Sequence, residues 1–212
     1  MAAIETLDLK LRRRPTQQRA VATFDQILNT TAGLLEIHGF DSITTNLIAA
    51  ESGISVRAIY RYFPNKHAIV GELARRMAAE WTKVVDDSGS LEDLASPVAA
   101  LWSTYIDTFI AAVRATSGAA AVLLAMRSDP ELRRVDDEAN RRYIRGIADA
   151  LWVRRPSLSA AEASAIATVL IRSTVAVLDE AFEADEAVAQ QLIDTMKSMH
   201  IGLLAHYFAM TD

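Results

Sequence analysis

Apolar residues recur at helical spacing along almost the whole chain. From Thr16 to Gly39 the positions Ala20, Phe24, Ile27, Leu28, Leu34 and Leu35 follow an i, i+3, i+4 pattern, and Gly39 supplies the stop. A shorter helical stretch runs from Ile43 to Ser52 and is broken at Gly53-Ile54-Ser55. It resumes from Val56 to Phe63, and Pro64-Asn65 ends it before a long helix from Lys66 to Val85.

The second half continues in the same period. Asp86 to Ser90 reads as a loop, and Pro97 opens a helix through Arg114. Its Val98, Leu101, Trp102, Tyr105, Phe109 and Val113 form one broad face. With Asp107 the only charge between Pro97 and Val113, burial nearly all round is expected. Gly118 to Met126 is a short apolar helix. Asp129-Pro130 has the form of an N-cap with proline at the first helical position, opening a helix to Val153 that Arg154-Arg155-Pro156 stops. Two more helices span Ser159 to Phe182 and Glu186 to Ala209. Their apolar positions exceed one stripe: Ile166, Val169, Leu170, Val177 and Leu178, then Leu192, Met196, Met199, Leu203 and Tyr207. Such helices need cover on two sides, from a four-helix interface with a second copy or from burial within one chain. With no strand alternation and no repeat, the fold class is all-α.

Composition narrows the class further. The chain has 212 residues, 51% of them hydrophobic, which excludes disorder, and no cysteine, which excludes a disulfide scaffold. The uncharged run Leu94 to Ile106 is 13 residues, short of the ~18–20 a membrane span needs. Glu5 and Asp8 stand where a signal peptide carries basic residues. These features predict a cytoplasmic protein that binds no membrane. The net charge of −5 is uneven: +2 over residues 1–70 and −7 over residues 71–212. A basic head on an acidic body points to an anionic partner for the head alone.

The paired short helices around Gly53 form a helix-turn-helix candidate. At about 100° per residue, with Arg57 at zero, Arg61 falls near 40°, Tyr60 near −60° and Ala58 near 100°. Ile59 and Phe63 fall on the opposite side. One face is thus apolar and the other presents two arginines, a tyrosine and a small alanine. Arginine offers a planar donor fork to guanine edges or phosphates, and a small residue permits close approach to a groove. A solvated outer face would show the same pattern.

The surrounding residues discriminate. Ile27-Leu28, Leu35, Gly39-Phe40, Thr44-Thr45, Ile48-Ala49, Gly53-Ile54-Ser55 and Ile59-Tyr60-Arg61-Tyr62-Phe63-Pro64-Asn65-Lys66 agree in one register. Over about residues 18–70 this resembles the DNA-binding head of TetR-family transcriptional regulators, while the later helices match only in number and length. The resemblance implies that Thr45 and Asn46 reach the DNA backbone or a base. It places Val56, Arg57, Ala58 and Arg61 in the major groove and makes Tyr60, Tyr62 and Lys66 phosphate anchors. Arg57 stands where the family often has glycine, so neither base preference nor docking distance carries over. The implied domains are a DNA-binding head over 1–65 and a ligand-binding and dimerisation domain over 66–212. Ahead of the first helix, Lys10, Arg12, Arg13 and Arg14 form either a flexible basic arm that adds DNA contacts or a solvated tail.

For the second domain the resemblance implies a ligand pocket. The candidate lining is Trp102, Tyr105, Ile106, Phe109, Met126, Tyr143, Ile147 and Arg172, though aromatic stripes at helical spacing also build plain core. Arg172 has no acid at i±3 or i±4 on its own helix, so it either pairs across helices or holds an anionic ligand group. Catalytic motifs are lacking: no Gly-rich phosphate loop, no Gly-x-Ser-x-Gly, no His-Glu-x-x-His. His200 and His206 lie about 240° apart on a helix, so no metal site is expected, and no cofactor.

The resulting expectation is a homodimeric regulator. It would bind a pseudo-palindromic double-stranded operator and leave it when a largely apolar small molecule binds. An activator, a regulator without a ligand, and a helical ligand-binding protein or enzyme that ignores DNA remain the alternatives.

Overall fold

The computed structural model describes residues 7–87, 91 and 93–208. The described residues form nine helices and no strand: α1 Gln18–Ser42, α2 Thr45–Ser52, α3 Val56–Tyr62, α4 Lys66–Asp87, α5 Val98–Ala115, α6 Ala119–Ser128, α7 Pro130–Arg154, α8 Ala160–Glu183 and α9 Glu186–Phe208. The all-α class expected from periodicity is therefore observed, with boundaries within a few residues. Residues 88–90 of the expected loop, Ala209 of the last helix and Glu5 lie outside the described residues.

Local chemistry fixes several boundaries. The Thr44 hydroxyl accepts the Leu47 N–H to cap α2, and the Ser55 hydroxyl accepts the Ala58 N–H to cap α3. Between them Gly53 takes a left-handed conformation (φ 66°) and closes α2 with its own N–H, a backbone state that costs other residues about 1–2 kcal/mol. The Asp129 carboxylate caps α7 by accepting from the Glu131 and Leu132 amides. Ser159 and Glu162 satisfy each other's backbone amides in a full capping box at α8.

Packing divides the chain into two compact units. The first comprises residues 1–79 with 113–137, and the second residues 80–112 with 138–212. In the first, Phe24 stacks on Phe63 at 4.7 Å and meets the edge of Tyr62 at 5.5 Å. Ile27, Ile43, Ile48, Ile59 and Ile69 complete that core, none of them exposed at all. Helix α6 joins this unit by packing on α1. Gly118, left-handed at φ 77°, sits so near Ala32 that a Cβ added to it would stand 2.9 Å from that of Ala32. Its N–H donates to the Glu36 carboxylate at 2.6 Å.

The second unit has its own core from α5, α7, α8 and α9, centred on Trp102, Ile106, Leu151, Ala167, Leu170 and Leu204. Helix α5 is less enclosed than expected. Ala100, Thr104, Asp107, Ala111 and Arg114 form an exposed stripe along it. Small alanines and a threonine leave a helix face wet without adding charge, which is why counting charges missed it. Helix α8 is long and apolar enough to cross a membrane by length and composition alone. Its Ile166, Ala167, Leu170, Ile171 and Leu178 are nevertheless packed in this core.

Candidate nucleic-acid interface

Ile59, Tyr62 and Phe63 bury one side of α3, and Arg57, Tyr60 and Arg61 are exposed on the other. Ser55, Arg57, Ala58, Tyr60 and Arg61 line an open depression of about 620 Å³ together with Arg12 from the segment before α1. No carboxylate lines it. Among the described residues the Arg57 guanidinium has no hydrogen bond or ion pair within the protein, which leaves its donor fork available. Arg61 donates to the Tyr62 hydroxyl at 2.6 Å and lies over that ring. Val56 is half-buried at the start of α3, and Asn46 is exposed in the first turn of α2.

Of the three expected phosphate anchors, two have partners inside the head. Tyr62 is a core residue, 1% exposed, and its hydroxyl already accepts from Arg61. Lys66 spends its ammonium donors on the carbonyls of Phe40, Asp41 and Ile43 at 2.9, 3.3 and 3.1 Å, closing the end of α1. Tyr60 stays on the surface, and its hydroxyl shares a hydrogen bond of 3.2 Å with Thr45 Oγ1. That bond ties the second helix to the third on their exposed side.

The segment from Asp8 to Arg14 is neither a free arm nor a solvated tail. The Arg12 amide donates to the Tyr62 carbonyl at 2.8 Å. Arg75 donates to the Leu9 carbonyl and Asn65 to that of Asp8. Arg14 reaches Glu72 at 3.6 Å, and the buried Glu72 also pairs with Arg75 and Arg76. Sequence reasoning found the basic run but not its anchor, since nothing local marks Glu72 as buried.

The eight residues expected to line a ligand pocket do not all meet. Trp102, Tyr105, Ile106, Phe109, Tyr143 and Ile147 belong to the second unit's core or pack against it. Met126 is buried in the first unit. Arg172 lies on the exposed side of α8, one turn from Val169, which is 49% exposed. The rings of Trp102 and Tyr105 stack at 5.2 Å, and Trp81 meets Phe109 edge-on at 5.9 Å. Tyr143 shares a 2.7 Å hydrogen bond with Thr82. Burial pushes the phenols of Tyr105 and Tyr143 above their ordinary value, and for Tyr105 the neighbouring Tyr143 and Asp86 add to it. Both therefore remain protonated donors. Among the described residues no His, Cys, Asp and Glu grouping could hold a metal ion.

The family model described as "Bacterial regulatory proteins, tetR family" matches residues 27–73, and "Tetracyclin repressor-like, C-terminal domain" matches residues 97–204, half of the chain. The chain belongs to the TetR family. It is a TetR-family transcriptional regulator, and the helix-turn-helix geometry above is that family's DNA-binding head. No curated protein matches the chain. Among solved structures it is similar to the fatty acid degradation regulator FadR from Bacillus halodurans, with a TM-score of 0.67 and 19% identity over 89% of this chain and 97% of that one. It is also similar to SmeT in complex with triclosan, at 0.65 and 19% over 88% and 91%. A TetR-family regulator from Streptomyces coelicolor aligns at 0.60 and 19% over 86% and 99%. At that identity the likeness is one of fold.

Proposed function

We propose that this TetR-family regulator is a cytoplasmic homodimeric repressor, not an enzyme, that leaves a pseudo-palindromic operator when a small, largely apolar molecule binds its second unit. The observation that carries the DNA half is the exposed face of α3, where Arg57, Ala58 and Arg61 line a depression without a carboxylate. Tyr60 lines it too, with its hydroxyl on Thr45, and Val56 and Asn46 stand in the first turns of α3 and α2. A major groove accepts such a helix, with arginine forks meeting guanine edges or phosphates.

Support for the ligand half is the aromatic set of Trp102, Tyr105, Phe109 and Tyr143, with Ile106 and Ile147, gathered in the second unit's core. Among the described residues the Tyr105 hydroxyl has no hydrogen-bond partner, so it is the polar tip best placed to meet a ligand donor or acceptor. The SmeT structure contains triclosan, a small aromatic of compatible character. Arg172, on the exposed face of α8, is not part of this site. Support for a second copy comes from α8 and α9, which expose Val169 and Met199, about half of each side chain.

The test is a selection of duplexes from a random-sequence pool, followed by titration of the selected site. A two-fold site with half-sites about 34 Å apart, weakened by an apolar aromatic that also raises the Tm, is the expected result. Failure to enrich any sequence rejects the DNA reading.

A further inference from the structure

The segment from Asp8 to Arg14 is built onto the first unit with unusual economy. The last carbonyls of a helix lack internal partners, and Arg12 supplies two donors to those of α3. Its amide reaches Tyr62 O at 2.8 Å, and its Nη1 reaches Tyr60 O at 3.0 Å. The guanidinium lies 5.9 Å from the centre of the Tyr60 ring. On either side the chain is pinned by the Arg75 bond to Leu9 O and by the Arg14 approach to Glu72.

The arginines of this region divide by charge balance. Arg14, Arg75 and Arg76 converge on Glu72, whose side chain is only 4% exposed, and Arg76 also pairs with Asp25. Arg12 is held by neutral carbonyls instead, and among the described residues no carboxylate pairs with it. Its full charge therefore stands in the depression beside Arg57 and Arg61.

We infer that Arg12 is a preset clamp for a DNA backbone phosphate, with Glu72 as the positioning residue that holds its segment in place. This rests on the DNA-binding reading above. A phosphate is favoured over a base because Arg12 is tied to the C-terminal end of α3, whereas a recognition helix meets base edges with its N-terminal residues. Because the segment is already ordered, DNA binding does not have to freeze it, which is the advantage of preorganisation.

The experiment measures binding of the full chain to its selected duplex and to an unrelated duplex of equal length, across a salt series. Arg12→Ala should weaken both duplexes alike and lower the slope of log K against log salt by about 1. The wild-type advantage should then shrink about 3.5-fold between about 50 and 200 mM salt. Arg14→Ala and Glu72→Gln should each weaken binding, and neither should add to the loss when combined with Arg12→Ala. If Glu72→Gln does not fold, Arg14→Ala carries that arm of the test. A wild type that selects no duplex overturns the DNA reading and the clamp together. A wild type that selects one, with Arg12→Ala equal to it in affinity and slope, overturns the clamp alone. Loss confined to one base position would make Arg12 a base reader and overturn the phosphate assignment.

Discussion

The indole N–H of Trp102 donates to Nδ1 of His200 across 3.1 Å, joining α5 to α9 inside the second unit. An indole can only donate, so Nδ1 is the acceptor and the imidazole proton sits on Nε2. That N–H donates a hydrogen bond to Ser173 Oγ at 2.7 Å, and the serine hydroxyl donates in turn to the Val169 carbonyl at 2.5 Å. Three helices are thus linked through one neutral histidine that is 0% exposed. Trp102→Phe leaves the histidine acceptor without its donor, a loss of about 1–3 kcal/mol, readable as a lower urea midpoint.

The same histidine makes stability depend on pH. Burial pushes His200 down from 6.5 to about 4, so between those values the unfolded chain binds more protons than the folded one. Stability then rises with pH. The contribution is complete above pH 6.5, falls progressively toward pH 4 and is flat below. Urea midpoints of wild type should decline over that window, and His200→Gln should remove that part of the decline. Parallel curves for the two proteins would refute it.

Arg57 and Arg61 should differ on DNA. Arg57 is uncommitted within the protein, whereas Arg61 already holds the Tyr62 hydroxyl. Arg57→Ala is expected to lose about 1–3 kcal/mol on the selected site and relax one position of it. Arg61→Ala should lose less. Competition binding with single-position variants of the site separates the two, and equal losses would contradict the ordering.

Dimer formation is best probed at Val169 and Met199. Leu170 is 0% exposed within one chain, so a charge there would unfold the unit rather than separate two copies. Val169→Glu or Met199→Glu should give folded monomers with weakened operator binding. Sedimentation of wild type as a monomer at micromolar concentration would reject the interface.

Gly118→Ala should destabilise the first unit. The left-handed backbone alone costs alanine about 1–2 kcal/mol, and the new methyl would press on Ala32 Cβ. A lower Tm is expected, whereas Gly33→Ala, with nothing within 4 Å of the added carbon, should leave it unchanged or raise it.

Much of this was legible before any coordinates. The i, i+3, i+4 spacing located every helix, and Gly53 with Ser55 located the turn, because caps and glycine turns are local chemistry. The wheel also separated Ile59 from Arg57 correctly. What escaped were side chains whose fate is decided by distant partners. Tyr62 and Lys66 look like surface anchors until Phe24 and the carbonyls at the end of α1 claim them. His200 looked like a stray histidine, although a buried Trp102 needs an acceptor and a search for one at helical spacing could have raised it. Arg172 reads as a pocket candidate because its own helix offers it no acid, yet it lies on the exposed side of α8 with Thr168, Val169 and Ala176.

Helix α6 adds a constraint on how such proteins can be recombined. Its sequence lies within the region matched by the C-terminal family model, but it packs with α1, where the Gly118 amide meets Glu36 and the bare glycine makes room for Ala32. A chimera joining residues 1–79 to a foreign effector domain would import a different α6. Unless that helix brings its own small residue and free amide to the same spot, the transplanted head would carry a mismatched seam. Grafting new specificities onto this head therefore means moving residues 113–137 with it.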